Sequence, residues 1–414
     1  MTAAYGSPAD SRIPDGIGDL VEHSIARLDN WVRVHGYRAY DPGDGQLSYL
    51  RSLTFGRLPL ERVLTAVVLR APLNIRPVLG IRPHTSTKGM GYMAWGYLRR
   101  YLAFQREEDA TAARYCLDWL IGHRSTGYPD YCWGNEFTFT TRAGRIPAGE
   151  PTIVWSGLIG QAFVDAYEVL GESRYLDVAA SVCDWIGKLP RERTDRGDCL
   201  SYVSFQQVSI HNSNMLGAAL LARVATLADR GKYLDVAREA MRYSVERINA
   251  DGSWYYGEDT KYHWIDNFHT GYNLDSLRRY RDSSHDRDFD AALVSGFAYF
   301  KRNFFEADGR PKYMHDRAMP TDIQCAAQAI DTLTYFSDLD ADALALACRT
   351  AEWTIRHMQD DEGYFHYRDL GWTRIRTPMF HWGQGTMFKA LAHLSARLAW
   401  ARGTSSVRVE AIEA

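Results

Sequence analysis

Two kinds of helical pattern alternate along this chain of 414 residues. In one, apolar residues recur at i, i+3, i+4 and i+7 while charges hold the opposite face, as in a helix buried on one side only. It runs through IGDLVEHSIARLDNWVRVHG from Ile17, DATAARYCLDWLIGH from Asp109 and SRYLDVAASVCDWIGKL from Ser173. It returns in GKYLDVAREAMRYSVERI from Gly231, DFDAALVSGFAYFKRNF from Asp288 and DALALACRTAEWTIRHM from Asp342. The other pattern opens on small or polar residues and continues apolar nearly all round. Its six copies begin at Thr85, Thr152, His211, Phe268, Thr321 and His381, roughly 53–67 residues apart, which leaves room for two helices and a loop.

Helices buried on every side need an inner position, and one-sided helices suit an outer ring. The pattern therefore predicts an all-α fold, an (α/α)6 toroid of six helical hairpins with short strands only in the rim loops. Residues 17–402 form its single domain, between flexible tails at 1–16 and 403–414.

Alternation of this kind sets all six inner-helix N-termini on one rim. Each end carries unpaired N–H groups and a partial positive charge, so the rim favours anionic groups by about 0.3–1 kcal/mol per contact. The longest and most aromatic loops also enter this rim, where a rigid scaffold can carry a site. The inner-helix starts supply His84, Lys88, Trp155, His211, Asn212, Asn214, His269, Asn273, Asp322, Gln324, His381, Trp382 and Gln384. The loops add Asp130, Trp133, Glu136, Trp254, Tyr255, Glu258, Asp266, His315, Tyr364 and His366.

Composition sharpens this picture in one respect: aromatic residues make up 13% of the chain, with 12 Trp, 25 Tyr and 16 Phe. Rings beside amides, imidazoles and carboxylates describe a sugar pocket, where C–H faces stack on rings and hydroxyls meet paired donors and acceptors. A net charge of −3 without basic blocks argues against nucleic acid. The six cysteines include no C-x-x-C pair, so a zinc site or disulfide framework is not expected, nor any cofactor. The polar start MTAAYGSPADSRIPDG lacks a signal-like apolar core, and a reduced, cytoplasmic protein is expected. Val63–Ile81 is broken by Arg70, Pro72, Asn74, Arg76 and Pro77, too interrupted for a transmembrane segment. It reads as a packed segment or as a docking surface for a membrane or a partner.

Asp266, Asp322, Glu136 and Asp130 are the carboxylates for hydrolysis, which usually needs an acid and a base or nucleophile. Elimination or epimerisation of a uronic acid needs a base for the C5 proton and groups that neutralise its carboxylate. His211, His269, Tyr272 and Arg374 suit those roles, with Trp155, Asn212, Asn214, Trp254, Tyr255, His381, Trp382 and Gln384 binding substrate. Plainer readings compete. Thr321 and Gln324 fit a capping box, and Asn212, Ser213 or Asn267 can serve as N-caps. Asp338 to Asp342 fits the start of an outer helix, and Asp41-Pro42-Gly43-Asp44-Gly45 a tight turn that lies near the rim. Recurrence of histidine at His211, His269 and His381 favours a shared pocket, because capping does not require that residue.

Trp155-Ser156-Gly157-Leu158-Ile159-Gly160-Gln161, followed by Tyr167-Glu168 and Arg174-Tyr175-Leu176, resembles helix pairs of the six-hairpin glycosidase superfamily. That superfamily includes unsaturated glucuronyl hydrolases and N-acylglucosamine 2-epimerases. Trp382-Gly383-Gln384-Gly385 is similar to a segment of the helical domain of glucuronyl C5-epimerases. The resemblance covers the architecture from about residue 85 onward and transfers no catalytic residue. It implies a carbohydrate-active enzyme acting on an acidic poly- or oligosaccharide, and a kinship with proteins of bacterial polysaccharide assembly, with peripheral association to such a complex. Asp251-Gly252-Ser253-Trp254 resembles a repeat of the terpenoid cyclase and prenyltransferase toroids, but occurs once and without their acid or zinc motifs. The Cys-Cys-His ligands of lanthionine cyclases are not evident, and a glycan-binding scaffold is the non-catalytic alternative.

Overall fold

The computed structural model describes residues 13–142 and 144–403. Most of both expected tails, 1–12 and 404–414, lies outside the described residues. The inner helices are α3 (Thr87–Phe104), α5 (Ile153–Leu170), α7 (His211–Leu227), α9 (Asn267–Ser284), α11 (Ile323–Tyr335) and α13 (Gly385–Ala401). Each packs on the next, and α13 closes the ring against α3. Outside them stand α4 (Glu107–Gly122), α6 (Ser173–Gly187), α8 (Lys232–Val245), α10 (Asp290–Asn303) and α12 (Ala343–Met358), each on the inner helix it follows. The outer partner of α13 comes from the other end of the chain: α1 (Ile17–Val34). One helix was not among the twelve expected, α2 (Leu58–Arg70), inserted before the ring begins.

Burial follows the two sequence patterns. From Ile153 to Ala166 every residue of α5 is buried, whereas α6 buries one face. Inner glycines let the helices approach closely. A Cβ on Gly96 would stand 2.5 Å from Phe388, and one on Gly89 would stand 2.6 Å from Phe380. Phe388 and Phe380 fill those gaps, each contributing about 1.5–3 kcal/mol by leaving water.

Below the rim, the ring's axis is polar. Asp331 on α11 takes Lys389 Nζ and His393 Nδ1 of α13, each at 2.8 Å. Asp165 on α5 takes Trp95 Nε1 at 2.6 Å, Arg99 at 3.0 Å and Arg223 at 2.8 Å, which joins α3, α5 and α7. Buried charges survive here because each is paired.

Strands are short and lie in loops: β1 (Phe139–Thr140) with β2 (Arg145–Ile146), and β3 (Arg191–Thr194) with β4 (Gly197–Leu200). The third sheet joins β5 (Thr321–Asp322), β6 (Arg368–Asp369) and β7 (Arg374–Ile375), all antiparallel, over the start of α11. All six cysteines are buried free thiols. No helix among the described residues is long and apolar enough to cross a membrane.

Candidate functional site

The inner helices are capped at the rim by Ser86, Thr152, Asp266 and Asp322, whose side chains accept the amides of Gly89, Trp155, His269 and Gln324. Three expected caps are corrected. On α11 Asp322 caps in place of Thr321, and Gln324 does not reach back but donates its Nε2 to the Tyr272 hydroxyl at 2.7 Å. On α9 the cap is Asp266, one residue before Asn267. Helix α7 has no side-chain cap, and the Ser213 hydroxyl donates to the Ile210 carbonyl.

Two histidines at the mouth each stand beside a carboxylate. His269 Nδ1 donates to Asp266 Oδ2 at 2.7 Å, and Trp264 Nε1 donates to the same oxygen at 2.9 Å. His381 lies in a single π-helical turn, Phe380–Gln384, that opens α13 and carries Trp382 beside it. Its Nδ1 stands 2.9 Å from Asp41 Oδ2 and 3.2 Å from Ser86 Oγ. Asp41 Oδ1 in turn accepts the backbone amide of His381 at 2.9 Å. At His269 the carboxylate fixes the proton on Nδ1, whereas His381 Nδ1 hydrogen-bonds to Ser86 Oγ, with Asp41 Oδ2 close by but outside hydrogen-bonding geometry. Neither Nε2 has a hydrogen-bond partner among the described residues. Burial holds His381 below the ordinary imidazole range, although Asp41 pulls the other way.

Beside this pair the Lys88 ammonium makes no hydrogen bond or ion pair among the described residues. It lies 4.8 Å from the Trp155 ring centre, 5.6 Å from Tyr92 and 6.0 Å from Tyr272, and the residue is 4% exposed. Cation–π attraction offsets only part of such a desolvation cost, and burial brings the Lys88 pKa down to about 7. His84 stands 3.8 Å from Asp41 Oδ2, and neither of its ring nitrogens is hydrogen-bonded.

A second group of polar atoms at the mouth has no protein partner: Trp155 Nε1, Asn212 Oδ1, both amide atoms of Asn267, Asn273 Oδ1 and Gln324 Oε1. Left unpaired, each costs about 1–3 kcal/mol. Two of these residues, Asn212 and Asn273, stand against aromatic rings. Trp254, Tyr255, Tyr256 and Trp264 line a cleft with Asn212, Asp266, His269 and Asn273. Trp155 meets His381 edge-on at 5.3 Å, and Phe268 meets Trp382 at 5.2 Å.

Other residues singled out in the sequence have different surroundings. His211 turns toward the outer helix α8, with Nδ1 3.1 Å from Ser244 Oγ and Nε2 2.8 Å from Glu258. Asn214 is spent on the Leu200 amide and the Ala240 carbonyl, and Gln384 on the backbone of Phe365. These three lie away from the cleft because their hydrogen bonds tie an inner helix to an outer helix or loop. Asp322 is fully buried and accepts from Arg368, Trp382 and Gln324, which leaves it no free lone pair directed at the mouth. Arg374 pairs with Asp369 at 3.2 Å on the β6–β7 hairpin. Trp254 donates Nε1 to the Ser244 carbonyl at 2.9 Å, and Tyr255 stacks on His263 at 4.2 Å. Asp130 is paired with Lys188 at 2.6 Å. Glu136 is exposed at the mouth, and the protein around it raises its carboxyl above the ordinary value.

Asp41 is the residue that the sequence reading passed over as part of a turn. The turn exists, with Gly43 at φ 97° and Asp44 buried against Arg76 at 2.8 Å. Asp41 reaches the site because the chain before it pairs with both ends of the ring, Ala39 with His84 and Tyr40 with Met379. The Asp251–Trp254 motif closes another turn, in which Asp251 accepts the Ser253 amide and hydroxyl.

Among the described residues no group of three or more His, Cys, Asp or Glu is placed to hold a metal ion. No family model and no curated protein match the chain. Solved structures do. An unsaturated glucuronyl hydrolase specific for heparin is 13% identical, with TM-score 0.59, over 92% of this chain and 97% of that one. A family 76 α-mannanase from Bacteroides thetaiotaomicron is also 13% identical, with TM-score 0.58, over 76% of this chain and 86% of that one. A cellobiose 2-epimerase from Bacillus thermoamylovorans is 9% identical, with TM-score 0.56, over 76% and 90% of the two chains. The chain shares the (α/α)6 toroid fold of these structures. In this toroid the cleft, the two Asp–His pairs and Lys88 share the end at which the inner helices begin.

Proposed function

We propose that the toroid binds an acidic saccharide at this mouth and moves a proton at a carbon beside the sugar's carboxylate. The reaction is then epimerisation or elimination of a uronate residue. One observation carries the reading: His269 and His381 each keep Nε2 unpartnered and have a carboxylate beside Nδ1, hydrogen-bonded in His269 and 2.9 Å away in His381. An imidazole oriented in this way accepts a proton on Nε2, and its carboxylate stabilises the imidazolium that forms. Two of them give one group to remove a proton and another to return or deliver one.

A C5 proton leaves only if the charge that spreads onto the carboxylate is stabilised. Lys88 is suited to that task, since a carboxylate would supply the partner that the protein does not, and would draw the amine back to its charged form. The unpartnered amides and the aromatic walls suit the remaining hydroxyls and ring faces. Solved relatives of this fold are named as a glucuronyl hydrolase and as sugar epimerases, in keeping with the reading.

Hydrolysis is the second reading. Glu136, exposed and with a raised carboxyl pKa, favours it as the acid. Proton NMR of the protein in D2O with uronate-containing oligosaccharides separates the two. Loss of H5 without cleavage reports epimerisation, and vinylic H4 signals report elimination. New reducing-end anomeric signals would replace this reading with hydrolysis, and unchanged spectra across the panel would overturn both.

A further inference from the structure

We propose that the face built by residues 47–82 docks on an anionic lipid bilayer. Helix α2 is apolar on its outer side as well as its inner one, where Val68 is buried and Leu64 and Leu69 pack on the core. Leu60, Val63 and Val67 follow at helical spacing and are 41%, 59% and 56% exposed, while Glu61 and Val68 on the other side are buried. A helix facing water on its outer side carries polar residues there. The turns before and after α2 continue the face with Leu53, Phe55, Leu73 and Val78, all more than half exposed. Tyr49 ties the two turns together, its hydroxyl donating to the Val78 carbonyl at 3.2 Å. Of the fifteen exposed large hydrophobic side chains among the described residues, nine fall between Leu47 and Val78. Scattered surface leucines need no explanation, but a concentration of this kind does.

Charge selects the occupant. Arg51, Arg57, Arg62, Arg70 and Arg82 are exposed on the same stretch. Its only carboxylate from residue 45 to 83, Glu61, is 1% exposed and held by Arg145 at 2.8 Å. An apolar surface fringed by guanidinium groups, with no exposed carboxylate, matches lipid phosphates above acyl chains. At 13 residues α2 lies on such a surface and does not cross it.

The face borders the mouth. Arg145 on β2 donates to the Gly56 carbonyl at 2.9 Å, and Phe139 on β1 packs on Trp155 at 5.9 Å, so one hairpin separates lipid from site. A mouth held there meets glycans tethered to a membrane. That substrate link rests on the carbohydrate reading above; the docking does not.

Sedimentation of the full chain with phosphatidylcholine vesicles, with and without phosphatidylglycerol, tests the docking. The expected result is binding to the anionic vesicles that weakens as salt rises. Val63→Asn with Val67→Asn should abolish it, and Arg57→Gln with Arg70→Gln should weaken it about tenfold or more. Unchanged thermal melts would show that these variants are folded, and Val294→Asn, on an exposed apolar site elsewhere, should bind as the parent does. No binding, or binding that ignores both double variants, overturns the proposal. A concentration-dependent dimer that Val63→Asn with Val67→Asn dissociates, without vesicle binding, assigns the face to a second copy of the chain instead.

Discussion

His381 Nδ1 lies 2.9 Å from Asp41 Oδ2, and the same aspartate accepts the His381 backbone amide through its other oxygen. Asp41 thus anchors the peptide of His381 and sets a carboxylate oxygen beside its ring. If this pair carries proton transfer, Asp41→Asn should leave the fold intact and lower kcat/KM by about 10²–10⁴, as should His381→Asn. Steady-state rates on the substrate that NMR identifies would check this. Full activity in either variant would remove the pair from the mechanism.

The pH profile should have two limbs. His381 works as a base only when neutral, and burial lowers its pKa, so the acid limb of kcat/KM should fall below the ordinary imidazole value of 6.5. Lys88 binds a carboxylate only when charged, so the alkaline limb should begin near its pKa of about 7. Lys88→Met should abolish the alkaline limb and raise KM. Lys88→Arg should push that limb beyond the measurable range while keeping part of the affinity.

Lys88 should also cost stability. The unfolded chain protonates it at the ordinary 10.5 and the native state at about 7. Below pH 7 both states hold the proton and the native state bears the whole penalty of a buried ammonium. From pH 7 toward 10.5 the unfolded state holds more protons, so native stability rises along that interval. Lys88→Met should therefore be more stable than the parent at pH 6, by a margin that shrinks at pH 9. Urea unfolding at the two pH values measures it, and an equal margin at both would contradict the depressed pKa.

Asp165→Ala should destabilise the ring by about 3–5 kcal/mol, because Arg99 and Arg223 would be left partly buried and without this carboxylate. Calorimetry of this variant beside Glu168→Ala, whose carboxylate meets Arg223 nearer the surface with its side chain 43% exposed, should show the larger loss at Asp165.

His211→Gln should lower stability and leave kcat near the parental value, because this imidazole faces Ser244 and Glu258 and does not line the cleft. A loss of activity comparable to that of His381→Asn would mean that the ring turns during turnover.

Twelve of the helices and their division into two rings were legible, because burial on all sides and burial on one side leave different periodicities in α5 and α6. The start of each inner helix was legible too, since polar residues stand at the mouth whatever their individual tasks. Their tasks were not. His211, His269 and His381 occupy equivalent places in the repeat, yet the first is directed outward by Ser244 on a neighbouring helix. Nothing within His211-Asn212-Ser213-Asn214 encodes that serine. Asp41 was hidden for a related reason: it belongs to no repeat, and its place depends on backbone pairing with His84 and Met379 on either side of the ring's seam. Helix α2 escaped because its apolar stripe is real but faces solvent, and periodicity reports a stripe without saying what covers it.

The two residues of the seam pair are 340 positions apart, and one of them stands in the turn that opens the helix closing the ring. Five hairpins can collapse during synthesis, but this pair cannot meet until α13 slides between α1 and α3. Closure over such a separation is slow compared with hairpin formation. Nascent chains should therefore be catalytically silent however much helix they hold, and activity should switch on as a single late event.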